Sequence, residues 1–239
     1  MTSAPRQRES RYVRPRDTHP PLDSPEYRST GLRHPTRAPI VVPQRLTEVT
    51  GPLLTGPIGP SDHDLTRQHA GEPQGQRIIV TGRVLDSDGR PVPDTLVEVW
   101  QANAAGRYAH RSDDWAAPLD PNFSGGGRVL TNALGEYSFT TIKPGAYPWG
   151  NHPNAWRPAH IHFSLFGRAF TQRLITQMYF PADPLFAFDP IYNSAPEGAR
   201  ERMVSTFDME ATQPAWALAY RWDIVLRGRD QTPFEEPHA

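Results

Sequence analysis

Two histidines one residue apart, in Arg157-Pro158-Ala159-His160-Ile161-His162-Phe163, are the sharpest chemical signal in the chain. On a strand, residues two apart share a face, with Cα atoms roughly 7 Å apart, so two imidazoles there can converge on one metal ion. Ile161, Phe163 and Leu165 alternate with them and are expected to face a core. Taken alone, the pair suits a metal site and a pair of structural histidines about equally. A metal needs further ligands, and composition narrows them. The chain contains no cysteine, which excludes thiolate zinc sites, iron–sulfur clusters, disulfides and a cysteine nucleophile. No carboxylate lies beside the pair in sequence, against a ferrous site of two histidines and one carboxylate. A zinc hydrolase on His160 and His162 lacks an evident third ligand and base. What lies upstream is tyrosine. Tyr108 ends the run Trp100-Gln101-Ala102-Asn103-Ala104-Ala105-Gly106-Arg107-Tyr108, and Tyr147 sits in the turn Lys143-Pro144-Gly145-Ala146-Tyr147-Pro148-Trp149-Gly150. Residue type alone reads each as a half-buried aromatic with a satisfied hydroxyl.

The elements that must position these residues read as strands. Residues 77–85 are rich in β-branched side chains and close on Asp86-Ser87-Asp88-Gly89-Arg90-Pro91. The Asp-x-Asp-Gly in that turn lacks the later bidentate glutamate of a calcium loop and is read as a hairpin. Residues 95–101 follow, with Val97 and Val99 on one face and Leu96, Glu98 and Trp100 on the other. Further strands are predicted at 128–131, 137–142, 159–165, 172–180 and 218–226, with a turn at Asn132-Ala133-Leu134-Gly135. One short helix is predicted at 196–204. Prolines, 27 in all, fall between apolar runs, as in many short strands joined by turns. The fold class is therefore all-β: an antiparallel β-sandwich with long loops and an extended N-terminal arm.

Residues 1–75 are poor in hydrophobic periodicity and rich in Pro, Arg and His. Ile40-Val41-Val42, Leu53-Leu54, Tyr12 and Tyr27 are apolar or aromatic anchors within them. The expectation is an arm docked on a neighbouring subunit over residues 20–75, a free tail before that, and a catalytic domain over 76–239. The formal net charge of −1 gives no reason to expect nucleic acid or an anionic membrane as partner. The polar, arginine-rich start carries no apolar signal region, and no run is long and apolar enough to span a bilayer. A cytoplasmic protein is expected.

Three runs carry a resemblance. Val97-Glu98-Val99-Trp100-Gln101-Ala102-Asn103-Ala104-Ala105-Gly106-Arg107-Tyr108, Thr141-Ile142-Lys143-Pro144-Gly145-Ala146-Tyr147-Pro148-Trp149 and Trp156-Arg157-Pro158-Ala159-His160-Ile161-His162-Phe163 resemble the ligand-bearing segments of intradiol ring-cleaving dioxygenases. The arm, Leu119-Asp120-Pro121-Asn122-Phe123, Leu174-Ile175-Thr176-Gln177 and residues 219–226 are similar to the β-subunit branch of that family that acts on protocatechuate. The helical N-terminal dimerisation region of the catechol-cleaving branch is not evident. The resemblance implies a non-haem Fe(III) held by Tyr108, Tyr147, His160 and His162, with Tyr147 and His162 axial. It implies a homologous α subunit as partner, protocatechuate and O2 as substrates, cleavage between the two hydroxyl-bearing carbons, and a place in aromatic catabolism through the β-ketoadipate route.

Charge counting adds roles to the implied ligands. A phenol is protonated at neutral pH, and a bound trivalent cation favours the phenolate. Two tyrosinates and a hydroxide neutralise Fe(III). A catechol arriving as a dianion keeps the site neutral only if hydroxide and one tyrosinate leave, each able to take a substrate proton. The family position of the departing tyrosinate falls on Tyr147. Arg157 matches a fixed cation near charge developing on the substrate ring, and Gln177 a polar pocket residue. Trp149, Ile191 and Trp100 match pocket walls, and Tyr27 an arm tyrosine near the substrate acid group. His110 and His152 carry no implied role. His19, His34, His63, His69 and His238 are read as structural or solvated. Two alternatives stay open: cleavage of catechol or hydroxyquinol, and a non-catalytic module, since residues 82–145 also resemble transthyretin-like β-sandwiches.

Overall fold

The computed structural model describes residues 34–37, 58–150, 152–166 and 173–233. Eleven strands are described: β1 (Arg77–Leu85), β2 (Leu96–Trp100), β3 (Gly126–Leu130), β4 (Glu136–Ile142), β5 (Tyr147–Trp149), β6 (Ala155–Arg157), β7 (His160–Phe166), β8 (Arg173–Tyr179), β9 (Thr206–Gln213), β10 (Ala217–Arg221) and β11 (Ile224–Val225). Two packed sheets form a β-sandwich. The first is antiparallel throughout, in the order β3-β2-β7-β8. In the second, β1 pairs antiparallel with β4 and parallel with β10 and then β11, and β9 adds to β10. A two-stranded ribbon, β5-β6, stands apart from both.

The apolar alternation dictates this arrangement. Val97 and Val99 of β2, with Ile161, Phe163 and Leu165 of β7, point inward from the first sheet. Ile78 and Val80 of β1, Tyr137 and Phe139 of β4, and Trp222 and Ile224 meet them from the second. The Phe163 ring packs edge-on against Tyr137, Phe139 and Trp222. Full burial of side chains such as Ile161 and Phe163 contributes about 1.5–3 kcal/mol each. Because strands alternate, the opposite face of the first sheet carries Trp100, His160, His162, Gln177 and Tyr179.

Residues 58–75 pack against the sandwich. Leu65 is wholly buried in the core, its amide donates to the Thr140 carbonyl at 2.9 Å, and Asp64 bridges to Thr140. The expected arm residues 1–33 and 38–57, with Tyr27 and His19, lie outside the described residues, as does His238.

The structure differs from the sequence reading in several places. The single strand expected at 218–226 breaks after Arg221. Trp222 donates its amide to the Thr81 carbonyl at 2.8 Å while its ring enters the core, and Asp223 turns back to accept from the Arg83 amide at 2.9 Å. The expected helix 196–204 is a four-residue α2 (Glu197–Arg200) run into a 3-10 turn (Glu201–Met203). Pro196 supplies no side-chain cap, and Gly198 weakens the interior. A short helix α1 (Pro190–Ser194) and the strands β5, β6 and β9 were not expected. Among the described residues no helix is long and apolar enough to cross a membrane.

Candidate metal centre

β7 delivers the histidine pair. His160 pairs across the sheet with Tyr179, and His162 lies between Trp100 of β2 and Gln177 of β8. The His160 Nδ1–H donates to the Pro158 carbonyl at 2.7 Å. That bond fixes the tautomer and leaves Nε2 with its lone pair turned outward, as in metal-ligating histidines generally. The Trp100 ring lies flat on His162, with centroids 4.9 Å apart and planes 4° from parallel. Trp100, expected as a pocket wall, thus backs His162.

The two tyrosines arrive on loops locked to each other. Gly106, two residues before Tyr108, has φ +79°, and a Cβ there would stand 2.2 Å from the Ala146 carbonyl oxygen. Gly145, two residues before Tyr147, would bring a Cβ within 2.4 Å of the Ala104 carbonyl oxygen. Only side-chain-free residues let the two backbones approach so closely. Asn103 ties the junction: its carbonyl accepts from Gly145 and Gly106, and its Oδ1 accepts from Ala105 and Arg107. Gln101 links the same region to the Ile142 carbonyl at 2.7 Å. Asp113 accepts from the Tyr108 amide at 2.8 Å and pairs with Arg107.

These elements bring four donor atoms together. Tyr108 Oη stands 3.1 Å from His162 Nε2, 3.5 Å from His160 Nε2 and 3.5 Å from Tyr147 Oη. Tyr147 Oη stands 3.3 Å from His160 Nε2. Three of these four distances are long for hydrogen bonds between such groups. They suit donors arranged around one ion, since ligands each about 2 Å from a common centre sit roughly 3–3.5 Å from one another. Among the described residues no group of three or more histidines, cysteines or carboxylates could hold a metal. Beside the two imidazoles stand the two phenols as further candidate donors. Two hard phenolic oxygens and two imidazoles fit a ferric ion and give no soft thiolate.

A buried polar cluster adjoins the donors. Arg157, Gln177, Tyr179 and Asp189 are each at most 3% exposed. Arg157 Nη2 donates to Gln177 Oε1 and to Tyr179 Oη, the latter at 3.2 Å, and Arg157 Nε lies 3.1 Å from Asp189 Oδ1. The Trp149 ring centroid is 5.7 Å from the Arg157 guanidinium carbon. Ile191 begins α1 and donates its amide to Asp189 Oδ1 at 2.9 Å. Sequence reasoning missed Tyr179 and Asp189. Tyr179 follows Gln177 by two on the same strand face, which was a usable signal. The Asp189-Pro190 dipeptide marks a helix start and gives no sign of the arginine it faces.

Comparison with known proteins supplies the family. A family model described as "Dioxygenase" matches residues 49–228. The chain belongs to the intradiol dioxygenase family. A second model, "Protocatechuate 3,4-dioxygenase beta subunit N terminal", matches residues 12–45 of this intradiol dioxygenase. The chain is 60% identical to the protocatechuate 3,4-dioxygenase beta chain of Burkholderia cepacia, over 92% of its own length and 96% of that relative's. It is 31% identical to the alpha chain from the same organism, over 67% of this chain and 77% of that one. The crystal structure of 3-chlorocatechol 1,2-dioxygenase from Rhodococcus opacus 1CP shares the fold. Its TM-score is 0.54 at 24% identity, covering 74% of this chain and 70% of that one. The intradiol dioxygenase match includes the whole of 82–145, the segment also likened to transthyretin-like modules. Within this intradiol dioxygenase, His110 stays outside the donor cluster and accepts from the Ser112 amide. His152 contacts the Pro153 carbonyl.

Proposed function

We propose that this intradiol dioxygenase is the iron-holding β-type subunit of a protocatechuate 3,4-dioxygenase, working with a homologous α-type subunit in the cytoplasm. The reaction is the opening of 3,4-dihydroxybenzoate by O2 between its hydroxyl-bearing carbons, giving 3-carboxy-cis,cis-muconate. The observation that carries the substrate assignment is the 60% identity, over nearly the full length of both chains, to a protocatechuate 3,4-dioxygenase beta chain. The likeness to alpha chains and the matched N-terminal segment support the partner.

Tyr108, Tyr147, His160 and His162 would hold the metal. When bound, Fe(III) supplies the Lewis acidity that favours phenolate over phenol and makes a chelated catecholate reactive toward O2. The remaining work belongs to the chain. Tyr147 Oη, as a phenolate, would accept a proton from a substrate hydroxyl. Arg157 and Gln177 present polar groups to charge that develops on the ring. Trp149 and Ile191 bound the ring pocket, and Tyr27 is the residue that the resemblance assigns to the substrate carboxylate. The His160 tautomer set by Pro158 keeps Nε2 available throughout.

The test is co-purification with the α-type partner, iron assay, and O2 uptake on protocatechuate, catechol and hydroxyquinol in parallel. Iron near one per β-type chain, a visible band that shifts with substrate, and preference for protocatechuate are expected. A colourless zinc protein with full activity would overturn the metal assignment. Faster turnover of catechol or hydroxyquinol would overturn the substrate.

A further inference from the structure

We infer that Asp189 and Tyr179 are positioning residues that set the direction of the Arg157 guanidinium, so that Arg157 acts through the aim of its N–H groups and not through net charge. The inference rests on the role given to Arg157 above. Three separate elements contribute to the cluster: Arg157 from β6, Gln177 and Tyr179 from β8, and Asp189 from the start of α1. All four side chains are removed from water.

Proton counting orders the contacts. Tyr179 Oη accepts from Arg157 Nη2 at 3.2 Å and stands 3.0 Å from both Gln177 Oε1 and Asp189 Oδ2. A phenol has one proton and cannot serve both acceptors at once. The carboxylate is the stronger acceptor, and Gln177 Oε1 already receives Arg157 Nη2. The order is therefore Arg157 to Tyr179 to Asp189. The carboxylate then holds the guanidinium at two points, beside Nε through Oδ1 and through the phenol at Nη2. Of these two anchors the first is an ion-pair contact and the second a hydrogen-bonded relay, and together they set the direction of the group.

Charge counting gives the consequence. Arg157 and Asp189 are opposite charges in a buried pair, so their monopoles cancel at a distance and what reaches the metal face is a dipole. A dipole's effect depends on its direction, which is what the two anchors control. The cluster lies close enough to matter: the Tyr179 and His160 rings are 5.8 Å apart, and Arg157 precedes His160 by three residues.

The experiment is a double-mutant cycle on the iron-loaded complex with its α-type partner, with protocatechuate as probe. Tyr179→Phe keeps the ring and removes the relay. It is expected to lower kcat about 10-fold with KM little changed, and to leave iron content and the resting visible band as in wild type. In an Arg157→Gln background the same change is expected to add nothing, because the guanidinium that the hydroxyl aims has gone. Asp189→Asn, which retains the helix cap, repeats the cycle if Tyr179→Phe does not fold. Wild-type kcat in both single variants, or losses that multiply in the Arg157→Gln background, would overturn the inference alone. Absence of protocatechuate turnover by wild type would overturn the reading beneath it as well.

Discussion

Tyr108 Oη reaches both histidines and the second phenol, and Tyr147 Oη reaches His160 Nε2. Tyr108 is also tethered through its amide to Asp113, itself paired with Arg107. Tyr147 belongs to a three-residue strand in an isolated ribbon. Under the proposed function, charge counting makes Tyr108 the donor that stays and Tyr147 the one that leaves. Tyr147→Phe is therefore expected to retain resting colour through Tyr108 but to slow anaerobic substrate chelation by about 100-fold or more, the scale of a lost positioned base. Tyr108→Phe is expected to alter the visible band in the resting enzyme and in every later species. Stopped-flow spectra of both variants check this, and chelation by Tyr147→Phe at the wild-type rate would remove the base role. The four donors were legible in the sequence through the resemblance. The His-x-His alternation supported two of them, but nothing local marked either tyrosine. The Asp189 and Tyr179 contacts were not legible, because they depend on strand register and on a loop returning to β6.

At the level of elements, the ribbon and the β2 loop work only as a pair. The closest approach, Gly106 against the Ala146 carbonyl, is where their spacing is set. Gly106→Ala is expected to cost at least ~1–3 kcal/mol from the left-handed backbone alone, and to push Tyr147 away from His160. Iron content per chain, measured beside thermal unfolding, should fall further than stability does. Equal iron content would show that the loops yield without moving the phenol. The second sheet has its own lock, since Tyr137 Oη donates to the Trp222 carbonyl at 2.6 Å. Burial, with Asp223 adding to it, pushes the Tyr137 phenol well above the ordinary tyrosine range. An unfolded tyrosine ionises near pH 10. The stabilisation from the neutral buried phenol is thus complete below about pH 10 and is lost as pH rises from there through the folded value. Tyr137→Phe should be roughly 1–2 kcal/mol less stable than wild type at neutral pH, with the gap narrowing above about pH 10. Urea midpoints across pH measure this, and a constant gap would contradict it. Strands whose apolar residues point inward, such as β1, β2, β4 and β7, were readable from alternation. β9 was not, because Phe207 and Met209 alternate toward solvent. β5 was not, because it is short and contains Pro148.

For the whole molecule, the proposed partnership makes the isolated chain an incomplete object. Expression without the α-type partner is expected to give lower solubility and little turnover, with exposed Met209 and Phe207 contributing to self-association. Light scattering and O2 uptake with and without the partner compare the two states, and a fully active monomer would refute the requirement. One topological fact also bears on how the molecule is made. β1, at residues 77–85, has parallel partners only in β10 and β11, which end at residue 225. The strands of the other sheet end at Tyr179, and all four donor residues lie between positions 108 and 162. During synthesis the N-terminal part of a chain emerges first, and contacts between distant residues must wait. The strands of the donor-bearing sheet have thus all been made while β1 still lacks its parallel partners, so assembly of that sheet and closure of the sandwich are separable in time. Force-sensing arrest sequences placed beyond residue 179 and beyond residue 225 would register two distinct events if this order holds, and one event at the later site if it does not.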